Sequence, residues 1–225
     1  NVLKQVFKLV DPELEIEILC KEGQKITKNT DLAIIKGSAR SILIAERTAL
    51  NFIQRMSAIA TLTAKYQESI KPYKAKITDT RKTTPNFRIF EKYAVKVGGG
   101  SPHRFGLSDC VMIKDNHIQV AGSITQAVNM ARAKISHTTK IEVETENLDD
   151  IKEALSAKAD IIMLDNMTIE MMKQAVDFIN SRAIVEASGN IYIETVNNVA
   201  STGVDYISTS AIHSKAGLLD IGLDI

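Results

Sequence analysis

The 225 residues suffice for one large domain or two small ones with a substantial core. Lys and Arg total 28 against 27 Asp and Glu, and a net charge of +1 argues against a nucleic-acid partner. Cys20 and Cys110 are the only cysteines and form no Cys-x-x-Cys pair, which argues against a disulfide framework or a zinc site and suits a reducing, cytoplasmic setting. No apolar run approaches the ~18 residues of a membrane span, and no signal-peptide pattern opens the chain. The sequence begins at Asn1 within an apolar segment, so a preceding portion is expected.

Leu14 to Cys20 alternates like a half-buried strand, and Asp31 to Gly37 reads as another, with the polar turn KEGQKITKNT between them. Ser38 then caps a long helix whose apolar positions recur every three and four residues to about Gln67. This predicts a small α+β domain over residues 1–72. After Pro72 the rhythm changes. Strand-like runs at 75–80, 110–115, 140–145, 160–166, 183–189 and 204–210 alternate with amphipathic helical runs. That alternation predicts a parallel α/β architecture over 73–217, either an incomplete barrel or a doubly wound sheet. LLDIGLDI (218–225) closes the chain as one more strand.

In parallel α/β folds the functional residues lie at the carboxyl ends of the strands. Here those ends carry, in order, Asp79, Arg81 and Lys82; Lys114, Asp115 and Asn116; Glu142 and Glu144; Asp165 and Asn166; Ser188, Gly189 and Asn190; and Ser208, Thr209 and Ser210. From Arg81 to Lys114 seven Lys and Arg stand against Glu91 and Asp109, a local excess of five that predicts a small anionic ligand.

Each part has a plainer reading. Arg81 and Lys82 suit a solvated turn. Lys114, closing an apolar strand, needs a partner, and a Schiff-base amine is its rival role. Glu142 and Glu144 share one face of their strand; in a barrel interior they demand cations or a metal, in solvent they demand nothing. Asp165-Asn166 suits a helix cap. The Ser188-Gly189-Asn190 turn suits backbone N–H groups that grip a phosphate. Three consecutive glycines, Gly98 to Gly100, exceed what a helix C-cap needs and permit close backbone approach to a ligand, which favours a site at His103 and Arg104. Together one rim carries cations, carboxylates and a phosphate-type turn, a set suited to substrates rich in carboxylates or phosphates with a divalent metal.

The segments ERTALNFIQRMSAIAT, TDTRKTTP, KYAVKVGGGSPHRFGLSD, IKDNHI, IEVET, IIMLDNM, EASGNI, TGVDYIS and LDIGLDI, in this order along essentially the whole chain, closely resemble the quinolinate phosphoribosyltransferase family. The resemblance implies an N-terminal α/β sandwich domain, an incomplete seven-stranded α/β barrel, and a final strand returning to the sandwich. It implies phosphoribosyl transfer from phosphoribosyl diphosphate to quinolinate with decarboxylation, and magnesium as cofactor. Carried over by position, Arg81, His103 and Arg104 hold the carboxylates of quinolinate, joined by Arg47 across a homodimer interface that further assembly leaves open. Lys82 and Lys114 serve both ligands. Glu144 and Asp165 hold the metal and ribose hydroxyls, with Glu142 a second candidate. Ser188, Gly189, Asn190, Ser210 and Ala211 bind the 5′-phosphate. Pro102, Ala58, Asn190 and Ser210 depart from the family's usual residues.

Overall fold

In the computed structural model, which describes residues 2–224, the chain opens with helix α1 (Val2–Val10) and an antiparallel pair, β1 (Glu15–Ile18) and β2 (Ala33–Lys36). Both strands lie within the predicted runs; α1, read from sequence only as an apolar segment, is a helix that buries Phe7. Helix α2 (Ala39–Ser69) starts where Ser38 Oγ accepts the Ser41 N–H at 3.4 Å. Its first half packs Ala45 and Ala49 with Phe7 and Leu14 in a small core. Its second half buries Ile59 and Tyr66 in the large core. One rigid helix therefore carries both domains, and the two cores meet inside it rather than at a loop.

The remaining elements alternate: β3 (Lys76–Thr78), α3 (Arg88–Val97), β4 (Val111–Ile113), α4 (Asp115–Ala121), α5 (Ile124–Arg132), β5 (Ile141–Thr145), α6 (Leu148–Ser156), β6 (Ile161–Asp165), α7 (Ile169–Ile179), β7 (Ile184–Ser188), α8 (Val196–Ala200), β8 (Tyr206–Ser208) and α9 (Ala211–Ser214). The strands form one parallel sheet of six in the order β3-β8-β7-β6-β5-β4. The order runs consecutively from β4 to β8 and then returns to β3, with none of the reversal that defines a doubly wound sheet. Beyond β3, Ser101 makes a single parallel bridge to Thr78, its N–H donating to Ile77 O at 2.8 Å. Three residues later the Arg104 guanidinium donates to Cys110 O at 3.0 Å, beside the start of β4. The seventh position of the incomplete barrel is thus one bridge long, and a side chain spans the gap. No helix among the described residues is long and apolar enough to cross a membrane.

The C-terminal segment differs from its expected form. Residues 217–224 return to the N-terminal domain but form no strand; residue 225 lies outside the described residues. Gln54 Nε2 donates to Ile221 O at 2.7 Å, Leu219 N to Gln54 O at 3.3 Å, and Leu223 packs on the small core. The segment lies along α2, whose backbone bonds are already made, so side-chain and helix-surface contacts hold it instead of a ladder.

The glycine run also has a different cause from close approach to a ligand. A Cβ at Gly98 would lie 2.4 Å from Ala60 O and 2.8 Å from Thr63 Cβ, and one at Gly100 would lie 2.8 Å from Thr63 Cγ2. The glycines let the end of α3 press against α2, which fixes the chain leading to His103. Gly98→Ala is expected to cost about 2 kcal/mol, measured as a lower urea midpoint at unchanged m-value. Gly222→Ala, where a Cβ meets nothing within 4 Å, is the control and stays within about 0.5 kcal/mol of wild type.

Candidate active site

The strand order sorts the predicted residues around one rim. From β4 through the Ser101 segment to β3, the strand ends carry Lys114, His103 with Arg104, and then Arg81 with Lys82. From β5 to β8 they carry Glu144, Asp165, the Ser188–Asn190 turn and the Ser210–Ala211 turn. Cations occupy one arc, and carboxylates and phosphate-type turns the other.

Lys114 enters the rim because the Lys-Asp-Asn-His run is a strand-to-helix turn: the Lys114 N–H donates to His117 Nδ1 at 2.9 Å as α4 begins. The Lys114 ammonium pairs with Glu144 on the neighbouring strand. Half exposed and beside a carboxylate, it has the opposite of the desolvated setting a Schiff-base amine needs. Arg81 and Lys82 are exposed and make no ion pair with the described residues. Arg47 is likewise exposed on the first half of α2, away from the rim of its own chain in sequence and without a salt bridge to the described residues.

Beneath the cationic arc lies a layer of buried acids that sequence reasoning largely missed. Asp79, expected at the rim, is fully buried: its Oδ1 accepts from Lys92 Nζ at 2.6 Å and from the His103 N–H at 2.7 Å. Glu91 accepts from Arg55 at 2.7 Å, from Thr84 Oγ1 at 2.9 Å and from the Thr84 N–H at 3.2 Å. Burial raises its carboxyl, but Arg55 and Thr84 outweigh burial and hold it below the usual carboxylate range. His213 lies 3.4 Å from Glu91 and 3.8 Å from Asp79, yet burial outweighs both and keeps the imidazole neutral. The signal was available: Glu186 and His213 interrupt the apolar runs IVEAS and AIHS.

Glu142 and Glu144 both face the barrel interior, but at different depths. Glu144 reaches the rim; Glu142 is wholly buried, with Glu186 from β7, around His103 Nε2 at 3.3 and 3.4 Å. His103 therefore floors the pocket instead of standing at its mouth. These three side chains lie close enough to ligate a metal. However, the Arg104 N–H points at His103 Nδ1 from 2.7 Å, which makes that nitrogen an acceptor and puts the ring proton on Nε2, where a metal would have to bind. Burial depresses the His103 pKa, but the two glutamates outweigh it and push it up to about 10. An imidazolium would also carry a proton on Nδ1, against the Arg104 N–H. The Arg104 N–H therefore opposes that second ring proton, while burial raises the Glu142 carboxyl as well. The Arg104 N–H at Nδ1 thus disfavours a metal at Nε2.

The opposite arc is held by neutral cross-links. Asn166 donates to Asp165 Oδ2 at 2.7 Å and accepts from Asn190 Nδ2 at 3.0 Å. Thr209 Oγ1 donates to Ile191 O at 2.8 Å and accepts the Ala211 N–H at 3.1 Å, joining the two phosphate-type turns. Among the departures, Pro102 removes no bond, because the neighbouring Ser101 and His103 N–H groups make this segment's contacts. Ser210 has φ −78°, so it needs no glycine.

Residues 1–57 match the family described as quinolinate phosphoribosyl transferase, N-terminal domain, and residues 59–224 its C-terminal domain. A probable nicotinate-nucleotide pyrophosphorylase [carboxylating] of Synechocystis is 46% identical over 224 residues, 98% of this chain and 76% of that one. The chloroplastic nicotinate-nucleotide pyrophosphorylase [carboxylating] of Oryza sativa is 44% identical over all of this chain and 65% of its own length. The crystal structure of NadC from Streptococcus pyogenes superposes with a TM-score of 0.94 at 45% identity, covering 97% of this chain and 78% of that one.

The buried layer makes a stability prediction. His103→Leu leaves two buried carboxylates without a donor and is expected to cost about 3 kcal/mol at pH 7. Glu142→Gln keeps the side-chain shape and an acceptor facing His103 Nε2 while removing one of the two buried acids, and is expected to cost less than about 1 kcal/mol. Urea unfolding of both variants checks the order; equal losses would place the charge differently.

Proposed function

The chain belongs to the quinolinate phosphoribosyltransferase family, and we propose that its rim transfers the phosphoribosyl group of phosphoribosyl diphosphate to the ring nitrogen of quinolinate. Carbon dioxide is lost, and nicotinate mononucleotide and diphosphate are the other products. The observation that carries this reading is the sorting of the rim: one arc of cations for a dicarboxylate, one arc of turns and carboxylates for a phosphorylated sugar.

In this reading Arg81 and Arg104 pair with the two carboxylates above the His103 floor, by charge-assisted hydrogen bonds. Lys82 and Lys114 face the diphosphate, where negative charge accumulates as the C1–oxygen bond breaks. Backbone N–H groups of Ser188, Gly189, Asn190, Ser210 and Ala211 hold the 5′-phosphate. Glu144 and Asp165 take the ribose hydroxyls. Quinolinate nitrogen attacks C1, so alignment of the two bound ligands is the main contribution of the protein. The ring nitrogen, now cationic, stabilises the electron pair left on the adjacent ring carbon as the carbon–carboxylate bond breaks; carbon dioxide departs and that carbon takes a solvent proton. No side chain acts as a general acid or base.

Magnesium fits the donor set. Glu144 and Asp165 end adjacent strands, offer only oxygen, and Asp165 is partly exposed with one oxygen already oriented by Asn166. When bound there, the ion would neutralise diphosphate charge.

The direct test is formation of nicotinate mononucleotide from quinolinate, with nicotinate as control. Quinolinate is expected to react and nicotinate not, because the second carboxylate supplies both binding and the leaving group. Turnover of nicotinate alone would overturn the reading.

Exposed Arg47 is proposed to complete the site of the second subunit in a two-fold dimer. Arg47→Ala and Lys114→Ala should each be nearly inactive alone. Mixed dimers place both defects in one site and leave the other intact, so random exchange should restore roughly a quarter of wild-type activity. Verified exchange without recovery would assign Arg47 to its own chain or to no role.

A further inference from the structure

Of the seven cations between Arg81 and Lys114, three lie on α3 instead of the rim, and two of these, Lys92 and Arg88, brace the basic loops. Lys92 is buried and tied to Asp79 and His103 O, an inner staple between β3 and the segment carrying His103. Arg88, the first residue of α3, forms an outer one. Its Nε donates to Thr83 Oγ1 at 3.1 Å, one terminal nitrogen to Arg81 O at 3.3 Å, and the other to Phe105 O at 3.1 Å. Arg81 and Thr83 belong to one basic loop; Phe105 follows Arg104 in the other. Among the described residues, no other side chain hydrogen-bonds backbone oxygens of both loops.

We propose that Arg88 is a positioning residue: by clamping the backbone of Arg81 to that of Phe105, it fixes the separation of Arg81 and Arg104 and thereby sets a preference for carboxylates on adjacent ring carbons. The inference rests on the proposed reading of the rim as a quinolinate site and adds to it the element that determines spacing. The two loops carry like charges at their tips, so without a clamp they repel and part. Arg88 satisfies three acceptors with one planar group. A lysine at this position is a point charge on a flexible stem and cannot reproduce the fork. The Arg88 charge is spent on backbone oxygens, so its loss should change geometry more than the attraction of the rim for anions.

The test uses the full chain and a binding readout independent of turnover. Affinities for benzene-1,2-dicarboxylate and benzene-1,3-dicarboxylate are measured by calorimetry for wild type, Arg88→Met, Arg88→Lys and Thr83→Val. Steady-state constants for both substrates and thermal midpoints accompany them. In Arg88→Met the 1,2-isomer should bind about tenfold more weakly, the loss typical of one misplaced charge-assisted bond, while the 1,3-isomer changes little. KM for quinolinate should rise with it, and KM for phosphoribosyl diphosphate should stay within about twofold. Arg88→Lys and Thr83→Val should fall between, and they carry the test should Arg88→Met not fold. A folded variant that keeps the wild-type isomer ratio, or loses both substrates equally, overturns the positioning role alone. Wild-type protein that binds neither isomer and does not use quinolinate overturns the parent reading, and this one with it.

Discussion

Like charges gathered on one arc repel, and that constraint shapes most of what lies under the rim. Two unit charges ~8 Å apart at an effective dielectric of about 20 repel by ~2 kcal/mol. The chain offsets this with acids placed inside the barrel and at its flank. Asp79, Glu91, Glu142 and Glu186 are all buried, and all four are within hydrogen-bond or ion-pair reach of residues on the two basic loops. A buried carboxylate is costly unless donors surround it, so each also fixes the groups that satisfy it. Charge balance and loop geometry are thus one arrangement seen from two sides.

The same arrangement explains why the helices sit where they do. Helix α2 supplies Arg55 to Glu91 and, through Ala60 and Thr63, the surface on which the Gly98–Gly100 run rests. Helix α3 contributes Arg88, Glu91 and Lys92 on successive contacts with the two basic loops. Helix α9 adds His213, whose pKa burial lowers: a charged imidazole there would add repulsion beneath an arc already rich in cations. The N-terminal domain is therefore part of the site's support, because the helix that carries its core also grips Glu91.

Much of this was legible in the residues. Period-two and period-3.6 runs located β1 to β8, α2, α3 and α5 to α8, because each has one strongly apolar face, and the rim residues followed from the ends of those strands. The short helices were not legible: α4 and α9 follow from turn chemistry at Lys114–His117 and Ser210, where periodicity has no length to act on. LDIGLDI alternates like a strand, but it is held against α2 through Gln54 and pairs with no strand among the described residues, so tertiary context decides. Charge excess correctly flagged the basic loops but could not separate Arg81 and Arg104 from Arg88 and Lys92. Which cation faces solvent and which faces a carbonyl depends on contacts between α3 and segments on either side of it. Glu142 and Glu144 show the same limit: alternation gave their shared face, while depth along the strand divided their roles.

The phosphate arc solves the opposite problem, presenting donors without net charge, and Asn190 shows how closely it is fitted. Asn190 has φ 50°, a left-handed conformation that costs a residue with a Cβ roughly 1 kcal/mol. Asparagine is among the side chains that tolerate it, and here its amide donates to Asn166 Oδ1 at 3.0 Å. Asn166 is itself left-handed at φ 52°, and a Cβ on Gly189 would lie 2.2 Å from its Oδ1. Three successive demands therefore interlock: glycine at 189 for room, a short amide at 166 to fill that room, and a short amide at 190 to bond it. Through the Asn166 contact with Asp165 the chain of bonds reaches the acidic pair, so the turn suited to a phosphate and a carboxylate suited to a metal and sugar are set by one neutral side chain. Where the cationic arc needs buried charge to hold its loops, this arc needs only backbone conformations that glycine and asparagine adopt, and its geometry is correspondingly insensitive to ionic strength.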